Sequence, residues 1–300
     1  MKKVLIVLVL CSLAILFIAC NTTKAVQPSS YEVESYGLSY SSRGVQVPAT
    51  VTFPTGGENV PLVVFAHGHG GSKDEYIGFT AIANSLAEHG IASIRMDFSG
   101  CGESTESFQN NVLTYMKEDV LAGTKAAINI LDVDENRVGL IGYSMGGRIA
   151  LELLAENSFP YKSVFFLAPA ADNEDLKLLF GGSEAWEQLK ATANANGYAD
   201  FTTIFGQHQE LSKKWFDDLE AYSTIAEQAS EAFAGKPSRV IYAVDDACVN
   251  PNVSQHVADL FNASVITTPA DGHSYGFYSD RTDVLKIVVD GATSFFDDNL

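Results

Sequence analysis

Positive charge is what this sequence has least of. Nineteen Lys and Arg stand against 37 Asp and Glu, a formal net charge of −18. Such a chain carries no electrostatic footprint for a phosphate backbone, which argues against nucleic acid as a partner. Cysteine is also sparse: four in 300 residues is too few for a disulfide scaffold. There is no internal repeat, and no low-complexity tract beyond a short polar stretch after Cys20. Long apolar runs are limited to one, Val4 to Ala19, so the chain is not a polytopic membrane protein. What remains is 46% apolar and 19% charged, a globular mix rather than a disordered or coiled-coil one.

The single apolar run follows Met1-Lys2-Lys3 and ends at Cys20, after which Asn21-Thr22-Thr23-Lys24 turns polar. This is the form of a secretory signal. Its 16 residues fall short of the ~20 that span a bilayer comfortably. Leu16-Phe17-Ile18-Ala19-Cys20 resembles a bacterial lipoprotein box, with Phe17 where leucine is usual. That resemblance implies cleavage before Cys20, lipid on Cys20, and export to a membrane surface of the cell envelope. An uncleaved anchor and an ordinary cleaved signal are the other readings. The expected organisation is a signal over 1–19, a tether over 20–30 and one domain over 31–300. Loss of residues 1–19 removes two lysines and deepens the charge to −20. Of the remaining cysteines, Cys101 and Cys248 follow different predicted strands and are expected to stay unpaired.

Residues 31–53 alternate around Ser41-Ser42-Arg43-Gly44 and predict an antiparallel hairpin. Apolar, β-branched runs follow at 62–66, 91–96, 138–141, 163–167, 240–244 and 264–267, each reading as a strand buried on both faces. Helical spacing occupies 76–89, 112–131, 145–155, 253–261 and 282–296. Strand–helix alternation predicts an α/β fold with a mostly parallel, doubly wound sheet. Residues 171–236 interrupt the rhythm without a convincing strand and are expected to form a helical cap.

Three segments carry chemistry. Gly142-Tyr143-Ser144-Met145-Gly146 joins a predicted strand to a predicted helix. A serine at that apex is held out at the sheet's edge beside a helix N-terminus, and flanking glycines avoid collision in the turn. Phe65-Ala66-His67-Gly68-His69-Gly70-Gly71 follows the first buried strand. Acyl transfer needs two backbone N–H groups aimed at the oxyanion, and those of His69 and Met145 are the candidates. His67 is read as fixing this loop. Two histidines in H-G-H also suggest a zinc pair. The nearby acids, Asp74 and Glu75, begin a helix, so no metal is expected, nor any cofactor. Serine needs a base, and the base needs a carboxylate to orient it. His273 follows the last strand, and Asp246 follows the strand before it, with Asp245 as the alternative. Asp271 is read as shaping the histidine loop.

The order Ser144, Asp246, His273 resembles the α/β-hydrolase superfamily. Asp97-Phe98-Ser99-Gly100-Cys101-Gly102-Glu103-Ser104 and Phe166-Leu167-Ala168-Pro169-Ala170-Ala171 are similar to its feruloyl/cinnamoyl esterase branch, near acylglycerol lipase-like and serine aminopeptidase-like members. The resemblance implies an α/β-hydrolase fold with a cap, and a serine esterase acting on a small-molecule ester. It also makes His67, Cys101 and Tyr143 candidates for lining the substrate. His69 and Cys101 depart from the residues usual there, which leaves substrate choice open. Seven aromatic residues of the cap, Trp186 and Trp215 among them, either bind an acyl group or form the cap's own core. With twelve acids against five lysines, the cap is expected to favour neutral esters. A serine peptidase or lipase of the same fold, and a catalytically silent surface lipoprotein, are the rival readings.

Overall fold

A computed structural model describes residues 30–222 and 224–300. The expected signal, Cys20 and nearly all of the tether lie outside the described residues.

The chain opens with the predicted hairpin, β1 (Val33–Ser42) and β2 (Val45–Pro54). Arg43 and Gly44 both take positive φ, 53° and 82°, the two-residue turn whose twist suits a hairpin. Strand and helix then alternate: β3 (Val60–Ala66), α1 (Gly78–Glu88), β4 (Ala92–Met96), α2 (Leu113–Ile130), β5 (Val133–Tyr143), α3 (Met145–Ala155) and β6 (Ser163–Leu167). After the insertion come β9 (Ser238–Ala243), α8 (Pro251–Phe261), β10 (Ser264–Thr268) and α9 (Thr282–Asn299). The sheet runs β1-β2-β4-β3-β5-β6-β9-β10. β1 to β2 and β2 to β4 are antiparallel, and the other pairs are parallel.

β3 is buried at every position, and its side chains feed two cores. Leu62, Val64 and Ala66 face one cluster with α2 and α3, whereas Val63 and Phe65 face the other with α1 and α9. β10 departs from the expectation of burial on both faces. It is an edge strand, exposed over most of its length, and among the described residues only β9 pairs with it.

The insertion departs too. It holds α4 (Asn173–Leu179), α5 (Ser183–Asn196), α6 (Lys213–Glu220) and α7 (Ile225–Ala232), but also a hairpin, β7 (Tyr198–Thr202) with β8 (His208–Ser212). Gly197 at φ 93° ends α5, and Gly206 at φ 79° lies in the turn. The strands are five residues each, and the inward set mixes Ala199 and Leu211 with a buried Gln209, so no clean alternation of polarity marks them. His208 lies exposed on β8. Trp186, Trp215 and Phe216 pack on one another at centroid distances of 5.1–5.4 Å and are buried. They belong to one buried cluster continuous with the sheet and α3, and the Trp215 ring also lies 5.6 Å from that of His69.

Arg148 pins this cap to α3. Its guanidinium is fully buried and reaches Glu152 (3.0 Å), Asn173 Oδ1 (2.7 Å) and the carbonyls of Leu219 (3.1 Å) and Tyr222 (3.2 Å).

Candidate active site

Ser144 stands between β5 and α3 with φ 54° and ψ −117°, a conformation costly for a residue with a Cβ. The surrounding packing imposes it. A Cβ on Gly146 would lie 1.9 Å from the Ala66 carbonyl oxygen, and one on Gly142 would lie 2.3 Å from that of Gly146. Both positions therefore require glycine. The tight approach sets the start of α3 against the end of β3, where the His67–Gly71 loop begins.

His273 comes to the same sheet edge on the loop after β10. Its ring stacks on Tyr143, the neighbour of Ser144, at 5.0 Å between centroids. The Tyr143 hydroxyl donates to the His273 carbonyl. His273 Nδ1 lies 2.7 Å from Asp246 Oδ2, so one imidazole is held from both sides. Asp246 is buried and accepts three further hydrogen bonds. Tyr275 Oη donates to Oδ2 at 2.7 Å, and the amides of Cys248 and Val249 donate to Oδ1 at 2.9 and 3.0 Å. Burial works to raise this carboxyl, but His273, the Val249 amide and Tyr275 outweigh it and hold it below the usual carboxylate range. Asp245 plays a different part. Its Oδ1 accepts the amides of Asp271 (3.2 Å) and Gly272 (3.0 Å). Asp271 in turn accepts the Gly276 amide at 2.6 Å, so both acids shape the histidine loop.

Asp246, Cys248 and His273 also bring ligand atoms within 4.8 Å of one another. The four donors on Asp246 occupy the lone pairs a cation would need. This donor set fits a carboxylate that orients an imidazole. Cys101 and Cys248 are both buried and unpaired with each other.

The loop after β3 is fixed at each end. His67 is buried; its Nδ1 is 2.7 Å from the Gly68 carbonyl, and its Nε2 accepts the Phe98 amide at 3.0 Å. Those partners define the Nδ1–H tautomer, and burial pushes the pKa down to about 4. His69 Nε2 meets Gln209 of β8 at 2.8 Å, between Phe108 and Trp215. Gln207 Nε2 donates to the Gly70 carbonyl at 2.7 Å, so the cap hairpin clamps this loop. The two histidines thus have separate partners and do not form a ligand pair. Among the described residues, the N–H groups of His69 and Met145 donate to no protein acceptor.

The three residues expected to line the substrate are all buried. His67 has both ring nitrogens satisfied. Tyr143 supports His273. Cys101 is buried, with Asn111 Nδ2 at 3.4 Å from its sulfur, and burial raises the thiol to about 12. Sequence reasoning missed Glu75, Tyr275, Arg148, Gln207 and Gln209. Arg148 alone left a signal, a cation inside the apolar helix Met145–Ala155 with Glu152 four residues on.

Residues 63–287 match the Alpha/beta hydrolase family. Est1E from Butyrivibrio proteoclasticus, in a structure with bound ferulic acid, superposes with a TM-score of 0.70 at 20% identity, covering 87% of this chain and 98% of that one. The esterase domain of a Rhodothermus marinus protein gives 0.65 at 19% identity over 89% and 99% of the two chains. A candidate esterase/lipase of Haemophilus influenzae is 34% identical over 97 residues, 32% of this chain and 30% of its own. The chain spans about a third of the length of the curated relatives it matches. With the family match covering most of the sheet and all four loops of the site, the chain belongs to the alpha/beta hydrolase family.

Proposed function

We propose that the protein is a serine hydrolase of carboxylic esters, with Ser144 as nucleophile, His273 as base and Asp246 as its orienting acid. The 2.7 Å bond between His273 and Asp246, on a loop stacked against the serine-bearing turn, carries this reading. Ser144 Oγ attacks the ester carbonyl carbon while His273 Nε2 takes the hydroxyl proton. The carbonyl oxygen becomes an oxyanion facing the N–H groups of His69 and Met145. As the tetrahedral species collapses, the C–O bond to the alcohol breaks and His273 returns the proton to the leaving alkoxide. Water repeats the sequence on the acyl-enzyme and releases the acid.

The esterases of similar fold support an ester substrate, and the net charge of the cap supports a neutral one, including aromatic esters of the feruloyl type. The N-terminal segment belongs to the same proposal, as an export signal that places lipid on Cys20 at an envelope membrane. The test is Ser144→Ala. The variant folds, hydrolyses no p-nitrophenyl acetate and takes up no fluorophosphonate, whereas the parent does both. Full activity in the variant refutes the assignment. A kcat/KM about tenfold higher on an anionic ester of equal acyl length refutes the preference for neutral ones.

A further inference from the structure

Glu75 is a buried carboxylate that the mechanism above does not use. It sits in the turn before α1, and it and Tyr76 both hold positive φ, 42° and 57°. Two adjacent non-glycine residues in that region store strain that the surroundings must support. What the turn achieves is the placement of one carboxyl between two loops. Oε1 accepts the Gly68 amide at 2.6 Å, inside the loop that carries His69. Oε2 accepts the hydroxyl of Tyr278, five residues beyond His273. The glycines beside it leave room for this. A Cβ on Gly71 would fall 2.4 Å from Oε1.

We propose that Glu75 is a positioning residue that ties the oxyanion loop to the histidine loop, engaging the Gly68 N–H so that the His69 N–H is aimed at the reacting carbonyl. This rests on the esterase reading above. A loop of small residues has many orientations for its peptide planes, and two successive N–H groups do not point the same way. Fixing the Gly68 amide on one side with Glu75, and the Gly70 carbonyl on the other with Gln207, leaves the intervening His69 amide one orientation. Tyr278 extends the tie to the segment whose position also sets His273, so the base and the oxyanion donor share one support.

The tie is a pair of hydrogen bonds, and glutamine can reproduce both: its carbonyl accepts from Gly68 and its amide donates to the Tyr278 oxygen. Leucine can reproduce neither. Glu75→Leu is expected to lower kcat by about 100-fold, the scale of losing one oxyanion donor, with KM changed less than about threefold. Glu75→Gln restores kcat to within about threefold of the parent, and Tyr278→Phe, at a half-exposed ring, lowers kcat about fivefold with KM unmoved. Retained kcat in a folded Glu75→Leu, or a Glu75→Gln as impaired as Glu75→Leu, overturns the proposal. If Glu75→Leu does not fold, Tyr278→Phe decides, and an unchanged kcat there overturns it equally. Ser144→Ala assayed in parallel separates the two levels: activity surviving that change refutes the esterase reading itself, while its loss with unaltered Glu75 variants refutes only the tie.

Discussion

The charge state of Glu75 makes a stability prediction independent of catalysis. Burial pushes this carboxyl up from 4.5 to about 7 despite hydrogen bonds from Tyr278 and Gly68. In the unfolded chain it titrates at its ordinary value. Below about pH 4.5 both states hold the proton and the group contributes nothing to the difference. Between 4.5 and 7 the unfolded state ionises first, so stability falls as pH rises, and above 7 the loss is complete. The interval from 4.5 to about 7, at about 1.36 kcal/mol per pH unit, gives about 3 kcal/mol. Glu75→Gln keeps the hydrogen bonds and removes the titration. Its stability should match the parent near pH 4.5 and exceed it by about 3 kcal/mol at pH 8, or roughly 6–12 °C in Tm for a domain of this size. Thermal or urea unfolding of both proteins from about pH 4.5 to 8 measures the difference, and other titrating groups cancel in it. A difference that stays flat with pH, or that favours the parent at about pH 8, refutes the claim that a desolvated carboxyl sits there.

Two further sets of substitutions test other parts of the architecture. Asp246→Asn should lower kcat by about 10⁴-fold through loss of imidazole orientation. Asp245→Asn, whose carboxyl only receives two loop amides, should cost less than about tenfold in kcat. The reverse order in steady-state kinetics would exchange their roles. Arg148→Met leaves Glu152 buried with Lys117 (3.2 Å) as its remaining cation and leaves the Leu219 and Tyr222 carbonyls with Asn173 Nδ2 as their side-chain donor, so a loss of about 3–5 kcal/mol and faster proteolysis within 171–236 are expected. An unchanged Tm would show that the cap is held by other contacts.

The sheet was legible in the sequence because its strands are locally determined. Runs such as 62–66 and 164–167 are apolar on both faces, and only a doubly covered parallel strand hides such a run. The elbow was legible for a similar reason. Gly142, Ser144 and Gly146 are close neighbours in the chain, and the collisions that force glycine there involve neighbours and the end of one strand. The cap hairpin was not legible. Its two five-residue strands lack a polar–apolar alternation because Gln209 turns inward to meet His69, a partner 140 residues away. β10 misled in the opposite direction: Val265 and Ile266 are β-branched as a buried strand would be, yet among the described residues its outer edge has no neighbour.

The site divides along the same line. Ser144, Asp246 and His273 were named from motifs confined to a few residues each. The groups that orient them carry no sign of that role in the sequence, because each acts through a contact whose partner is distant in sequence. Tyr278 reaches Glu75 across 203 positions, and Tyr143 reaches His273 across 130. A glutamate seven residues after Gly68 looks like the first turn of a helix when read along the chain. Only the fold reveals that it is buried, that the turn carrying it is strained, and that its two oxygens face different loops. Reacting groups must present particular atoms, so their residue types are constrained at fixed spacings. Supporting groups need only supply a donor or acceptor from some direction, and many residues at many positions can do that. A short motif therefore names the proposed nucleophile and base, and the buried hydrogen bonds around them must be read from the folded chain.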